Sequence, residues 1–208
     1  MSLKKATLLI ISILLIDQIS KFYIKTHFAL NDKTVVLSWF QIVFVENEGM
    51  AWGTKLSDLL PFISDRTAKM FLTVFRIFAV LGIGYWLQSS VKKQGSKTLI
   101  IAIALIFAGA LGNIIDSVFY GVLFNDSHSQ VATFLPSAGG YDTLFHGKVV
   151  DMLNFPMWKG VLPNWIPLYG GNYFTFFEPV FNIADMAIST GIGILIVFNK
   201  KAFKQQED

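Results

Sequence analysis

Asp17, Lys21, Arg76, Asp116 and Asp185 each interrupt a strongly apolar run, and Asp151 is set between Val149-Val150 and Met152-Leu153. An ionisable group at mid-bilayer costs about 2.5–3.5 kcal/mol on insertion scales, so such residues are kept for pairing or for chemistry. Their spacing matters as much as their type. Asp17 and Lys21 are four apart on one helical face and can pair directly. Asn113 and Asp116 are three apart, as are Asn182 and Asp185, and Gly109 and Gly112 leave room for another helix to approach. The acids Asp17, Asp116, Asp151 and Asp185 outnumber the bases Lys21 and Arg76, so at least one carboxyl must hold or share a proton. Two carboxyls sharing one proton can split an amide: the ionised member takes a proton from water while the other protonates the carbonyl. Beside this stands a purely structural reading, in which Asp17 with Lys21 and Arg76 with Asp116 only lock a bundle together.

These residues need elements to hold them. The 208 residues allow one domain, 53% of them are hydrophobic and only 15% charged, and the mean hydropathy is +0.54. A soluble globule and a disordered chain are both excluded by that balance. Four apolar runs, about 6–23, 68–87, 98–120 and 179–198, each approach the roughly 20 residues that a helix needs to cross a bilayer. The first resembles a signal-peptide core, but Asp17 and Lys21 occupy the place of a cleavage site, so it reads as a retained span. Lysines gather at Lys4 and Lys5, at Lys92, Lys93 and Lys97, and at Lys200, Lys201 and Lys204. With four spans all three groups fall on one side, which the positive-inside rule assigns to the cytoplasm together with both termini. All five charges within the spans then lie in the outer half. The formal charge of +3 reads as this topology signal, and no nucleic-acid partner is implied.

Two outer segments remain, 27–67 and 121–178. The first contains Val35 to Val45, rich in β-branched and aromatic residues, and predicts a small sheet at the membrane surface. It continues into Asn47-Glu48-Gly49-Met50-Ala51. The second opens with a polar stretch in which Gly139-Gly140 reads as a turn. It ends in a run with Trp158, Trp165, Tyr169, Tyr173, Phe174, Phe176 and Phe177, whose rings favour the headgroup level.

Asp17-Gln18-Ile19-Ser20-Lys21, Asn47-Glu48-Gly49-Met50-Ala51, Gly109 to Asp116, Val149-Val150-Asp151 and Phe181 to Asp185 stand in the order of five motifs of the bacterial lipoprotein signal peptidases, also called signal peptidase II. The chain resembles that family over nearly its whole length. The resemblance implies one integral membrane domain over 1–208, all-α, with four transmembrane helices, a small periplasmic β-cradle and an interfacial segment. It implies an intramembrane aspartyl endopeptidase of the bacterial inner membrane that removes the signal peptide from diacylglyceryl-modified prolipoproteins on the N-terminal side of the lipidated cysteine. Carried over by position, Asp151 and Asp185 are the catalytic pair near the periplasmic face. Asn47, Asn113 and Asn182 orient the carboxyls and the scissile carbonyl, and Asp17, Lys21, Gly49, Gly112 and Asp116 support the site. The family uses no metal or other cofactor; its partners are the lipidated precursor and membrane lipid, and a monomer is expected. Two departures stand out: Ser117 replaces the arginine that the family usually has after the third-helix aspartate, with Lys148 or Arg76 as possible substitutes, and the stretch of roughly 121–147 is an extra outer loop.

The alternative is a small proton-coupled transporter or channel, since intramembrane Asp and Arg commonly form proton relays. The chain has neither an internal repeat nor a pair of broken helices to support it. A third reading is a non-catalytic assembly factor held by polar pairs. Other hydrolytic chemistries lack their groups. Cysteine is absent, His27, His128 and His146 are scattered rather than set in a zinc motif, and there is no Gly-x-Ser-x-Gly.

Overall fold

The computed structural model describes residues 1–48, 63–176 and 179–204. Gly49, and with it Met50 and Ala51 of the second motif, lies outside the described residues. The elements run α1 (Leu3–His27), β1 (Lys33–Leu37), β2 (Phe40–Asn47), α2 (Asp65–Lys92), α3 (Lys97–Ile115), β3 (Val149–Asn154), β4 (Trp158–Val161), β5 (Tyr173–Phe176), β6 (Val180–Phe181), α4 (Ile183–Val197) and α5 (Asn199–Ala202). After α3 the chain makes a π-helical turn over Asp116–Tyr120 and one helical turn over Gly121–Leu123.

The first three expected spans are helices long and apolar enough to cross a membrane: Leu3–His27, Asp65–Lys92 and Lys97–Leu123. The fourth, expected over 179–198, is shorter. Val180 and Phe181 pair instead with Asn154 and Leu153 of β3, and the helix cannot begin before the Asn182 cap. Fifteen residues remain helical, about 22 Å at 1.5 Å per residue. Serine caps start two of the others: Ser64 Oγ accepts from Thr67 N, and Ser96 Oγ accepts from Leu99 N.

Small residues set how closely the helices meet. A Cβ on Gly109 would stand 2.2 Å from the Ala184 carbonyl oxygen, and one on Gly191 would stand 2.7 Å from that of Ala102. Backbone therefore packs on backbone between α3 and α4. At one end of the bundle Ala6, Ile10, Leu87, Ile100 and Ile103 share an apolar cluster, and Ser96 Oγ donates to the Ala202 carbonyl at 2.8 Å. That end carries the three lysine groups. At the other end Ile24, Phe44, Tyr120, Phe124, Val150 and Met152 form a second cluster that joins helix to sheet.

The sheet has the order β1-β2-β3-β6, every pair antiparallel. The apolar run over 35–45 is therefore two strands, turning at Ser38-Trp39 so that Leu37 faces Phe40. β4 and β5 make a separate hairpin from the aromatic run, and Trp158, Trp165, Tyr169, Tyr173, Phe174 and Phe176 are all exposed on it. The turn expected at Gly139-Gly140 is present: Gly139 has φ of 92° and donates to the Pro136 carbonyl.

Candidate active site

Asp151 sits in mid-strand on β3, opposite Val45 of β2, and is 3% exposed. Its backbone neighbour Val150 is fixed on both sides. The Val150 N–H donates to Asp116 Oδ2 at 3.3 Å, and the Val150 carbonyl accepts from Asn182 Nδ2 at 3.3 Å. Asp185 is reached from another direction. Asn182 and Asp185 form a capping box at the start of α4: Asn182 Oδ1 accepts from Asp185 N at 2.9 Å, and Asp185 Oδ2 accepts from Asn182 N at 3.2 Å. The three-residue spacing seen in the sequence is thus a helix-start device that also aims a carboxyl out of the first turn.

Three asparagines tie the two acids together. Asn182 Nδ2 donates to Asp151 Oδ1 at 2.7 Å, and Asn47 Nδ2 donates to Asp151 Oδ2 at 3.1 Å. Asn113 Nδ2 donates to Asp185 Oδ1 at 2.8 Å, while Asn113 Oδ1 accepts from Lys21 Nζ at 2.8 Å and from Asn182 Nδ2 at 3.1 Å. Each carboxyl therefore receives neutral amide donors. Burial pushes the Asp151 carboxyl up from 3.8 to about 7, and the charge of Asp185 adds to the rise against the pull of Asn47, Lys21 and Asn182.

Deeper in the bundle lies a second acidic pair with different partners. Lys21 Nζ stands 2.9 Å from Asp17 Oδ2 and 2.8 Å from Asp116 Oδ2, and with Asn113 its three donors are all engaged. Asp17 Oδ1 accepts from the Ala184 N–H at 2.9 Å, so the same group fastens α1 to the start of α4. Gly112 is required here, since a Cβ would stand 2.7 Å from Asp17 Oδ2. Asp116 is occupied by Lys21, Gln18 and the Val150 amide, and the pairing of Arg76 with Asp116 considered from sequence gives way to this.

The matching residues extend beyond the site. Residues 9–200 match the family model described as signal peptidase (SPase) II. The chain belongs to this family. It is 47% identical to a lipoprotein signal peptidase of Porphyromonas gingivalis, over 93% of this chain and 82% of that one. It is 36% identical to a lipoprotein signal peptidase of Amoebophilus asiaticus, over 92% of this chain and 75% of that one. The fold is also that of two solved bacterial membrane enzymes determined by the in meso method. Both align with a TM-score of 0.62, at 22% and 23% identity, covering 99% and 96% of this chain and 94% of each of theirs.

Signal peptidase II is a family of proteases, so the transporter and assembly-factor readings are not carried further. Ser117, the residue after Asp116, donates its Oγ to the Asn113 carbonyl at 2.9 Å. That bond satisfies a carbonyl at the π-turn and brings in no charge. Lys148 pairs with Glu46 instead. Gln18 was named in the sequence only as part of a motif, yet its Nε2 donates to Asp17 Oδ2 and Asp116 Oδ1, both at 3.0 Å, and its Oε1 accepts from the Tyr120 hydroxyl at 3.2 Å. Its place between Asp17 and Lys21 was the available signal. Lys25 and Glu46, both engaged in a buried ion pair, were missed entirely.

Proposed function

We propose that this signal peptidase II is an aspartyl endopeptidase of the bacterial inner membrane, in which Asp151 and Asp185 together activate water. It removes the signal peptide of diacylglyceryl-modified prolipoproteins on the N-terminal side of the lipidated cysteine. One observation carries the reading: two carboxyls from different elements, β3 and α4, are bonded to the same residue, Asp151 to the side-chain amide of Asn182 and Asp185 to its backbone N–H, and the Asp151 carboxyl is raised to about 7.

The chemistry follows from that asymmetry. Asp151 is the member that keeps a proton towards neutrality, and Asp185 takes the proton from water as the water oxygen attacks the scissile carbonyl. The proton on Asp151 passes to the carbonyl oxygen and neutralises the charge that develops there. Collapse of the tetrahedral intermediate breaks the C–N bond. The leaving amine takes the proton gained by Asp185 and a hydroxyl of the intermediate returns its proton to Asp151 as the new carboxyl forms, with no covalent enzyme intermediate. Asn47, Asn113 and Asn182 hold the carboxyls in place for both proton transfers.

The topology fits a membrane-borne substrate. The lysine groups stand at one end of α1, α2, α3 and α4 and the acidic pair at the other, so the positive-inside rule puts both termini in the cytoplasm and the pair near the periplasmic face. The sheet then acts as a cradle over the site. The hairpin of β4 and β5 sets its exposed aromatic rings at the headgroup level. The chain works as a single domain and as a monomer, without a cofactor, on a precursor delivered within the bilayer.

Purified Asp151→Asn and Asp185→Asn proteins should insert and stay folded but fail to cleave a lipidated precursor. Turnover by both, shown free of native enzyme, would remove the aspartyl mechanism. Equal rates on lipidated and unlipidated precursor would remove the lipid requirement.

A further inference from the structure

Asp17, Lys21 and Lys25 recur every fourth residue along one face of α1. Lys21 serves the acids within the bundle. Lys25, one turn further on, serves a separate charged cluster beneath the sheet. Its ammonium lies 2.5 Å from Glu46 Oε1 and donates to Ser127 Oγ at 3.0 Å, and Ser127 Oγ donates in turn to Glu46 Oε1 at 3.1 Å. The other carboxylate oxygen, Glu46 Oε2, faces Lys148 Nζ at 3.2 Å. The Tyr141 ring lies 4.9 Å from the Lys25 ammonium and 5.6 Å from that of Lys148, and its hydroxyl accepts from the Lys148 N–H at 2.7 Å. Burial alone would raise the Glu46 carboxyl, but Lys25 and Lys148 outweigh it and hold the group below its ordinary value. Lys25 and Ser127 are wholly buried.

Ser127 and Tyr141 both belong to the 121–147 stretch, the outer loop between α3 and β3. The loop has a second fastening at the end of α3. The Gly147 N–H donates to the Ser117 carbonyl at 2.9 Å and the Phe145 N–H to the Val118 carbonyl at 3.0 Å, inside the π-turn. A Cβ on Gly147 would stand 2.0 Å from the Asp116 carbonyl oxygen, so the loop rests on the backbone of Asp116 itself. Glu46 is followed directly by Asn47, which holds Asp151, and Asp116 holds the amide of Val150, which precedes Asp151. The two fastenings thus reach the same strand from opposite sides.

We infer that the 121–147 loop is a positioning clamp for Asp151. Lys25 and Glu46 are its positioning residues: with Ser127 and Lys148 they hold β2 so that Asn47 stays on the carboxyl, while Gly147 seats Asp116 against Val150. The inference rests on reading Asp151 and Asp185 as the catalytic pair.

The test is the paired replacement Lys25→Met with Glu46→Gln, which removes both members of the buried Lys25–Glu46 pair and leaves Lys148, which is partly exposed, as the one remaining charge of the cluster. In purified protein assayed on a lipidated precursor, kcat should fall roughly tenfold, as expected when a reacting group loses its placement. KM should stay within about twofold. Amide exchange over 149–154 should quicken by about tenfold or more, while that over 183–197 stays as in the native protein. Ser127→Ala, which keeps every charge, should show both effects at about a third of the size and reads the same quantities if the double variant folds poorly. Unchanged kcat, or unchanged exchange over 149–154, overturns the clamp. Equal loss of protection across α4 also overturns it, since that marks a merely structural role. Native protein that cannot cleave the precursor overturns the peptidase reading instead, a result distinct from native turnover with an unaffected variant.

Discussion

Two pairs of aspartates lie near one another in this protein and meet opposite neighbours. Asp17 and Asp116 have a lysine ammonium between them, in contact with both. Asp151 and Asp185 have asparagine amides between them. A cation in contact with both acids ties each of them to it and offsets their mutual repulsion, so that pair holds helices together. An amide orients a carboxyl without neutralising it, and the acids must then settle their repulsion by sharing a proton. In the proposed mechanism the same residue type is a rivet in one place and a reagent in the other, and what separates them is a formal charge on the bridging group.

The sharpest way to break that comparison is to neutralise one acid from each pair. Asp151→Asn should lower turnover of a lipidated precursor by about a thousandfold or more with the melting temperature kept, as for loss of a group that acts in the transition state. Asp17→Asn should do the reverse, lowering the melting temperature and leaving turnover within about tenfold of native. Precursor cleavage and thermal melting in the same detergent decide it. Loss of turnover in Asp17→Asn with unchanged melting would merge the two pairs into one functional unit.

Lys21→Met should show the largest stability effect. It leaves Asp17 and Asp116 buried with no cation in contact, a situation that costs about 3–5 kcal/mol when one partner of a buried pair is removed. Adding Asp116→Asn should restore part of that loss. If the double variant is no more stable than Lys21→Met, the ammonium is not what holds the helices.

The pairs should also differ in how pH reaches them. Asp151 is raised in the folded protein from 3.8 to about 7, so between those values the folded chain holds a proton that the unfolded chain has released. Stability from this group therefore falls as pH rises from about 4 to about 7 and levels off on either side. Asp151→Asn should flatten that slope. Turnover should fall above about 7, where the pair loses its shared proton. Melting curves at several pH values, with native and variant protein side by side, check the sign; an identical slope in both removes Asp151 as the titrating group.

Much of this was legible in the sequence, and for a physical reason. Charges inside apolar runs stand out because almost nothing else is tolerated there, which is why Asp17, Lys21, Asp116 and Asp185 could be picked without coordinates. Asn182 was legible because capping fixes its distance from Asp185. What could not be read were contacts set by the path of a long loop. Nothing local to Lys25 at its helix end or to Glu46 in its strand signals their pairing, which depends on Ser127 and Tyr141 closing over them. The fourth helix was overestimated because Val180 and Phe181 are as apolar as a span, and hydropathy cannot tell a strand that pairs with β3 from the first turn of a helix.

The smallest effect expected concerns Asn182, which has two separable jobs. Its Oδ1 caps α4 by accepting from the Asp185 N–H, and its Nδ2 donates to Asp151. Serine caps a helix about as well as asparagine but is too short to reach both partners. Asn182→Ser should therefore cost no more than about 1 kcal/mol of stability, because the cap remains. The bridge is lost all the same, so kcat should fall about tenfold, while Asn47 still holds Asp151 and Asn113 still holds Asp185. Unfolding by denaturant and kcat at saturating precursor separate the two jobs. A large stability loss with kcat preserved would mean that Asn182 is only a cap, and that the two acids find their positions without a side chain between them.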